Sequence, residues 1–374
     1  MPEHEGDDSS WAWLYLVALS AAFAAYLAGL LLLSRAGGLA RRRAVIWLAC
    51  AVQVLPLAGP VLLSTDVYTY WDYARIATVH DGNPYVDEPS DFPADVAYPL
   101  MGSYWYDTTS VYGPGFTLAS EAHAKAVGES EDAAAWAYRV LAAAAMVALV
   151  LLAARLSSRP AFAAAFVGWN PLLAVHFAGG GHNDAWMMAF VLGALALAGA
   201  GRPFLAGLSW AAAIAVKWVP LLFLPLRLLE ARTTGRRIDH RGLALGLGVL
   251  VAIATWRYGL SWLGAAGPLA SNLAEDRARY AIPVRIASAG LPEGAVVAVF
   301  AVGFAAAYAW LLREAWRGRA RLALTAGLLL VCTSWLVPWY AVWAVPLAAV
   351  EEDRTARILA LALSAYLLRD AVPL

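Results

Sequence analysis

The sequence predicts an all-α integral membrane protein with about ten to twelve transmembrane helical segments. Of the 374 residues, 61% are hydrophobic and only 14% are charged, against about 25% in a typical soluble domain. The hydrophobic residues form long runs that short arginine clusters separate, and two runs have such clusters at both ends. This composition excludes both a single water-soluble core and a disordered chain.

Ten apolar runs follow one another along the chain, and each predicts helical membrane segments because about 20 residues span a bilayer. The runs are Trp11–Leu33, Ala44–Leu63, Ala133–Ala154, Ala161–Phe177, Ala185–Ala200, Phe204–Leu229, Leu243–Trp256, Ala295–Leu312, Leu322–Val350 and Ala356–Leu368. Acidic residues precede the first run, and it is long enough to span. It is therefore predicted to be a transmembrane helix rather than a signal peptide.

The arginine distribution predicts one polytopic domain, 1–374, in the cell membrane. A basic cluster after the first run places that connection in the cytoplasm. Residues 64–132 then form the first large extracytoplasmic loop and residues 257–293 the last, so the candidate site faces the extracytoplasmic side. A separate soluble C-terminal domain is not expected. The net charge is zero, so the protein has no overall positive electrostatic potential, and no nucleic-acid partner is expected.

Two runs are predicted to be broken helix pairs. Phe204–Leu229 and Leu322–Val350 have basic clusters at both ends, and a single span cannot begin and end on one side. Both are too short for two full spans of about 20 residues. Pro220 and Pro338 near their middles interrupt helical hydrogen bonding. We therefore expect two V-shaped pairs whose tips point outward and line a cavity.

Asp66 stands at the outer end of the second run, directly before an amphipathic segment. Two interpretations are open at this point. The carboxylate is either the N-cap of the following helix or a general base at the roof of a membrane cavity.

The first outer loop combines carboxylates with aromatic side chains. Its carboxylates are expected to be mostly solvated, although acids beside aromatic rings also suit a carbohydrate; they are Asp72, Asp81, Asp87, Asp91, Asp95 and Asp107. The aromatic residues belong either to an interfacial belt or to a sugar-binding surface. The candidates among them are Tyr68, Tyr70, Tyr85 and Tyr112.

A glycine-rich turn carries four polar residues within nine positions: His176, His182, Asn183 and Asp184. In one interpretation Asp184 is a helix N-cap and His182 is a surface residue. In the other, the four residues form a ligand site. Both a cluster that binds hydroxyl groups and a metal site, for which three of the residues are suitable ligands, stay open.

Basic and aromatic residues near the breaks complete the candidates. Lys217 lies at the first break, where an ionisable residue is costly; it either binds a phosphate or extends its ammonium to the outer surface. Arg277 and Arg279 in the last outer loop either bind a phosphate or pair with neighbouring acids. The aromatic residues around Pro338 at the second break either pack there or line a sugar cavity; they are Trp335, Trp339, Tyr340 and Trp343.

Several short motifs occur in a fixed order along residues 66–347. After Asp66 they are Tyr68-x-Tyr70, Gly82-Asn83-Pro84-Tyr85, Tyr112-Gly113-Pro114, Asn170-Pro171-Leu172, Gly181-His182-Asn183-Asp184, Ala206-Gly207 with Lys217-x-x-Pro220, and Pro338-Trp339-Tyr340. This order resembles the GT-C superfamily of polytopic glycosyltransferases. Within it, the chain is similar to the bacterial α-mannosyltransferases that depend on polyprenol-phosphomannose.

The resemblance implies transfer of a hexose, with mannose expected, from a polyprenyl monophosphate to a lipid-linked or glycan acceptor, with inversion. Asp66 would be the catalytic base, and Lys217, Arg277 and Arg279 would bind the donor phosphate. The sugar and the acceptor would contact Tyr68, Tyr70, Tyr85, Tyr112, His176, His182, Asn183, Asp184, Trp339 and Tyr340. Family members with monophosphate donors generally need no metal, so no metal or other cofactor is expected. The partners would be the lipid-linked donor, a glycolipid or glycan acceptor, and membrane lipids.

Two other classes of function stay open. A secondary transporter also has broken helices and an intramembrane lysine. Against it, the candidates lie on the predicted outer side, and no inverted repeat is visible. A protein that binds lipids or cell-wall precursors would keep the cavity without needing Asp66 for catalysis.

Overall fold

The computed structural model describes residues 9–35, 42–235, 240–266 and 280–369. Its regular elements are all helical, and the described residues contain no strand, which confirms the predicted all-α class. The helices are α1 (Ser9–Arg35), α2 (Arg42–Val54), α3 (Asp66–Thr78), α4 (Pro114–Val127), α5 (Glu131–Leu156), α6 (Pro160–Gly168), α7 (Pro171–Ala174), α8 (Asp184–Gly199), α9 (Pro203–Val216), α10 (Pro220–Thr234), α11 (His240–Tyr258), α12 (Ile282–Ala287), α13 (Glu293–Trp316), α14 (Leu322–Cys332), α15 (Val345–Val350) and α16 (Arg354–Tyr366).

Among the described residues, three helices are long and apolar enough to cross a membrane unaided: Trp11–Arg35, Glu131–Leu156 and Glu293–Trp316. A fourth crossing results if Pro160–Gly168 and Pro171–Gly179 count as one span with a 54° bend. Several other apolar helices are shorter than a full crossing. The predicted ten to twelve segments include these shorter helices.

Both predicted breaks occur at the proline positions. α9 ends at Val216, Lys217 is extended with φ −157° and ψ 148°, and α10 begins at Pro220. In the second run, α14 ends at Cys332, and a 3-10 turn, Pro338–Trp343, precedes α15. Proline at the first helical position needs no hydrogen bond from its own nitrogen, so each helix can restart there.

The interpretation of Ala161–Phe177 as one helix is wrong, because the run is broken between α6 and α7. Pro171 has no N–H and disfavours helical geometry at Asn170. Backbone groups near this break gain side-chain partners instead. The Gln53 amide donates to the carbonyl of Gly168 at 3.0 Å, and the Asn170 side chain accepts from the N–H of Leu172 at 3.1 Å.

The helices that carry the site pack closely because small residues line their contacts. α5 packs against α6 and α8, and α9 packs against α8 and α11. A Cβ on Gly242 of α11 would lie 2.1 Å from the carbonyl oxygen of Phe204 in α9. Glycine therefore lets the two backbones approach, as is common in membrane helix pairs.

Arg139 on α5 links the chain around the 3-10 turn Leu55–Ala58 to the π-helical turn Val175–Gly179. It is 3% exposed. Its Nε donates to the carbonyl of Ala178 at 2.9 Å, and its Nη2 donates to the carbonyls of Pro56 and Gly59 at 2.7 and 2.8 Å. Backbone carbonyls at the ends of such short turns need donors in an apolar surrounding. One guanidinium thus fixes the chain that leads to α3 against the chain that leads to α8.

The predicted outer loop is a compact structure built around a buried ion pair. Arg75 Nε donates to Oδ1 of Asp95 at 2.7 Å, and Nε2 of His80 lies 2.6 Å from Oδ2 of the same carboxylate. Tyr73 donates its hydroxyl to the carbonyl of Thr108 at 2.6 Å. These contacts hold the loop against α3, the helix that begins with Asp66.

The expectation that the loop carboxylates are mostly solvated is wrong for Asp72 and Asp95, which are 3% and 6% exposed. Burial raises the pKa of Asp72 to about 7; the nearby Asp95 carboxylate adds to this effect, and Arg75 opposes it. For Asp95, burial acts to raise the pKa, but hydrogen bonds from Arg75, the Ala97 backbone and His80 outweigh it and lower the pKa. The loop thus contains two buried carboxyl groups, one with a raised pKa and one with a lowered pKa.

We expect Arg139→Met to lower the Tm in detergent by about 5 °C or more, because the buried carbonyl of Ala178 and the partly buried carbonyls of Pro56 and Gly59 each lose a hydrogen bond. Arg155→Met, an exposed position on the same helix, is the matched control and should change the Tm little. Differential scanning fluorimetry measures both variants. Equal Tm values for the two variants would show that the Arg139 contacts contribute nothing to stability.

We expect Asp72→Asn to raise the Tm at pH 8 by about 3–6 °C and to change it little at pH 5. At pH 5 the buried carboxyl is protonated and resembles the amide. Between pH 5 and the raised pKa of about 7 the folded protein keeps this proton while the unfolded chain has lost it, so stability falls as the pH rises through this range and levels off above it. Asp107→Asn, exposed in the same loop, should show no such pH dependence. A Tm difference for Asp72→Asn that is the same at both pH values would contradict the assignment.

Candidate active site

Asp66 is the first residue of α3, and Thr65 is the N-cap residue of that helix. The structure therefore does not support the interpretation of Asp66 as an N-cap. Oδ2 of Asp66 accepts from the Tyr70 hydroxyl at 3.4 Å and lies 3.1 Å from Nδ1 of His182. The Asp66 side chain is 14% exposed. It is thus mostly desolvated while a part of it stays accessible.

A glycine-rich turn packs against the first turn of α3. After α7 the chain forms a π-helical turn, Val175–Gly179, and then reverses at Gly181, where φ is +72°. A Cβ on Gly181 would lie 2.4 Å from Cγ1 of Val67, so only glycine fits there. Leu62 donates its N–H to the carbonyl of Gly179 at 3.0 Å. The next residue, His182, is consequently placed beside Asp66.

His182 stacks on an indole from the second break. The ring centroids of His182 and Trp339 are 3.7 Å apart, with 12° between the planes. The His176 ring lies 5.9 Å from that of His182 and 5.7 Å from that of Trp339. His182 is 0% exposed and His176 is 1% exposed. The interpretation of His182 as a surface residue is therefore wrong.

Asp184 pairs with the lysine of the first break. Its Oδ1 accepts from Lys217 Nζ at 2.8 Å and from Nε1 of Trp343 at 2.6 Å. The ammonium also lies 4.7 Å from the ring centroid of Tyr340 and 5.5 Å from that of Trp343, within the range of cation–π attraction. Lys217 therefore points into the site and does not extend to the surface. Asp184 is the first helical residue of α8 and not its N-cap.

Trp343, one of the aromatic residues named at the second break, contacts Asp184 through its indole nitrogen. Tyr340 and Trp343 are three residues apart in the 3-10 turn Pro338–Trp343, where residues i and i+3 align. Their rings stack at 3.9 Å with 23° between the planes. The Tyr-x-x-Trp spacing within this turn therefore brings the two rings together.

Several buried polar atoms in this cluster have no hydrogen-bond partner among the described residues. They are both ring nitrogens of His176 and of His182, both amide atoms of Asn183, and Oδ2 of Asp184. The His182–Asp66 contact at 3.1 Å is too oblique to count as a hydrogen bond. Because buried polar groups normally find partners, these donors and acceptors suit a ligand rich in hydroxyl groups.

The tyrosines named from the sequence divide into two groups. Tyr70 and Tyr112 meet edge to face at 4.9 Å, and the Tyr70 hydroxyl donates to Asp66. Tyr68 points the other way, towards Arg139 and the acidic start of α5. Tyr85 lies apart from the cluster, because its hydroxyl donates to the carbonyl of Tyr112 at 3.0 Å and its ring packs in a separate core.

Arg277 and Arg279 lie outside the described residues, so their phosphate-binding role stays a prediction. Within the described part of the chain, no group of three or more His, Cys, Asp or Glu side chains is arranged to hold a metal ion. The polar cluster of the glycine-rich turn is instead organised by one ion pair, one ring stack and unpaired hydrogen-bonding atoms.

These features define a polytopic membrane protein with a polar, aromatic-lined site where two broken helix pairs meet α3 and α8. Residues 6–231 match the family described as alpha-(1->6)-mannopyranosyltransferase, N-terminal domain. The chain belongs to this family, the MptA/MptB family of membrane mannosyltransferases of the GT-C type. The matched range contains Asp66, His182, Asp184 and Lys217.

Named relatives occur in actinobacteria. The chain is 30% identical over 243 residues to alpha-(1->6)-mannopyranosyltransferase A of Mycobacterium tuberculosis, over 60% of this chain and 46% of the relative. It is 27% identical over 239 residues to the protein of the same name in Corynebacterium glutamicum, over 56% and 48% of the two chains. The chain thus spans less than half the length of these curated relatives. No solved structure matches it significantly.

We expect Lys217→Met and Asp184→Asn to destabilise the protein by about 3 kcal/mol each, because each leaves a buried partner unpaired. The double variant should lose much less than the sum, since both partners are then neutral. Thermal unfolding in detergent measures the cycle. Arg317→Met removes an ion pair from an arginine that is 56% exposed, and it is the control with a cost of about 0–1 kcal/mol. Strictly additive losses for Lys217 and Asp184 would contradict the pairing.

Proposed function

We propose that this chain is a membrane glycosyltransferase that moves a hexose, with mannose as the expected sugar. The donor would be a polyprenyl monophosphate sugar, and the acceptor a lipid-linked sugar or glycan on the extracytoplasmic face. The observation that carries the proposal is a partly accessible carboxylate, Asp66, beside a cluster of buried and unpartnered hydrogen-bonding atoms. The names of the relatives support mannose and an α-(1→6) linkage.

Asp66 has the placement that a general base needs. In the proposed reaction it accepts the proton of an acceptor hydroxyl as that oxygen attacks the anomeric carbon. The bond between the anomeric carbon and the phosphate oxygen breaks, and the polyprenyl phosphate leaves with the electron pair. A single displacement inverts the anomeric centre. The leaving phosphate is already a stable anion, so the reaction needs no general acid, and we propose no metal or other cofactor.

The neighbouring side chains offer the contacts that a sugar needs. His176, Asn183 and Oδ2 of Asp184 can exchange hydrogen bonds with hydroxyl groups, because none of these atoms has a partner among the described residues. Trp339 and Tyr340 supply aromatic surface for the C–H faces of a sugar ring. These polar atoms favour a sugar over a simple lipid as the ligand, because a lipid would leave them buried without hydrogen-bond partners.

Lys217 is the candidate for the donor phosphate among the described residues. One of its N–H groups donates to Asp184, and the ammonium has further donors for phosphate oxygens. Because Asp184 offsets much of its charge, we propose that additional cations complete the phosphate site. Arg277 and Arg279 are the candidates, and membrane lipids would surround the polyprenyl chain.

We expect Asp66→Asn to lower the rate of transfer by about 100- to 10,000-fold, because the amide keeps the shape of the carboxylate but accepts no proton at neutral pH. The measurement is transfer of radiolabelled mannose from polyprenyl-phosphate mannose to membrane acceptors, with purified protein in liposomes. Asp132→Asn, exposed at the start of α5, is the control and should keep the wild-type rate.

A wild-type rate for Asp66→Asn would remove Asp66 from the mechanism. If the wild-type protein transfers no sugar from this donor but takes up a labelled solute into liposomes, the protein is a transporter and not a transferase.

A further inference from the structure

We infer that His182 is a positioning residue for Asp66: it orients the carboxylate and favours its ionised form. The inference rests on the proposed function, in which Asp66 is the base. It changes the role expected for His182 from the sequence, which was to bind a sugar or acceptor hydroxyl. Nδ1 of His182 lies 3.1 Å from Oδ2 of Asp66, and the two side chains come from segments far apart along the chain.

The imidazole is confined to one orientation. One face stacks on Trp339 at 3.7 Å with the planes 12° apart. On another side the ring meets backbone, because a Cβ on Gly180 would lie 3.0 Å from Nε2. The ring is 0% exposed. The aromatic face and the glycine restrict the ring, and Nδ1 lies on the side that faces Asp66.

The chemistry of the pair follows from that orientation. A carboxylate beside Nδ1 favours the form of the ring in which Nδ1 carries the proton, and this N–H then donates to Oδ2. The Tyr70 hydroxyl approaches the same oxygen at 3.4 Å. The 3.1 Å contact does not meet hydrogen-bond geometry in this structure, and the proposed bond forms when the carboxylate turns towards Nδ1. Two donors on Oδ2 fix the plane of the carboxylate and with it the direction in which Asp66 meets the acceptor hydroxyl.

A hydrogen bond to a carboxylate favours its charged form. His182 therefore keeps the base ionised, and therefore active, at lower pH than it would otherwise be. Loss of the Nδ1 donor moves the acidic limb of the pH–rate profile to higher pH. A residue that only bound the sugar would change KM and leave this limb in place, and a residue that only supported the fold would change the Tm.

The experiment compares His182→Asn with His182→Gln. The amide nitrogen of Asn can occupy the position of Nδ1, whereas that of Gln extends to the position of Nε2. We expect His182→Gln to lower kcat by about 100-fold, since a displacement of about 1 Å at the reacting groups has an effect of this size. Its acidic limb should also move to higher pH. His182→Asn should recover most of kcat and the wild-type limb.

His123 provides the matched control. It is also a histidine whose ring packs on an aromatic residue, Tyr138 at 4.1 Å, and whose ring nitrogens have no partner among the described residues. His123→Gln should leave kcat and the pH profile unchanged. If His182→Gln does not fold, as judged by its Tm, Trp339→Leu tests the same geometry. Without the stack the imidazole can rotate, and the acidic limb should again move to higher pH.

Failure of the inference and failure of the proposed function are distinguishable, because Asp66→Asn is measured in parallel. If Asp66→Asn is inactive while folded His182→Gln keeps the wild-type kcat and acidic limb, His182 does not position the base and the transferase proposal stands. If the acidic limb of the pH–rate profile does not move in Trp339→Leu, His182 likewise does not position the base. If the wild-type protein transfers no sugar, or if Asp66→Asn is fully active, the proposed function and the inference fail together.

Discussion

A buried carboxylate that must remain paired determines the geometry of the site. Asp184 is 0% exposed, and one of its oxygens accepts from Lys217 at the first break and from Trp343 at the second. An unpaired charge in such a place costs several kcal/mol, so α8 and the two breaks cannot separate without a large loss of stability. The other site contacts depend on this one. Trp339 lies in the same short turn as Trp343, which places the indole where His182 stacks on it.

Broken helices impose a second requirement, because each break frees backbone groups within an apolar surrounding. The chain satisfies them with side chains from other helices. Arg139 donates to three carbonyls, and Gln53 donates to the carbonyl of Gly168. The same breaks are useful for function, since they let polar and aromatic side chains leave the helix surface and converge. The breaks thus affect both stability and the site. A continuous transmembrane helix would not bring these side chains together.

The candidate site was partly visible in the sequence for a simple reason. Asp66 and Lys217 stand out because a charge beside or within an apolar run is costly and is rarely kept without a role. Tyr70 lies one helical turn after Asp66, so its contact with the carboxylate follows from helix periodicity. Tyr85 occurs in an equally aromatic stretch but bonds elsewhere, and no local pattern distinguishes it from Tyr70.

Composition, charge and proline positions by themselves determined the membrane class, the helical elements and the two breaks at Lys217 and Pro338. These features act locally: a proline disfavours the continuation of a helix whatever its surroundings, and the bilayer selects apolar runs by length. Tertiary structure alone decided that Lys217 pairs with Asp184, 33 residues away, that His182 approaches Asp66, and that Asp72 is buried. Such pairings depend on how helices distant in sequence pack together, and that packing is set by the shapes of many side chains at once.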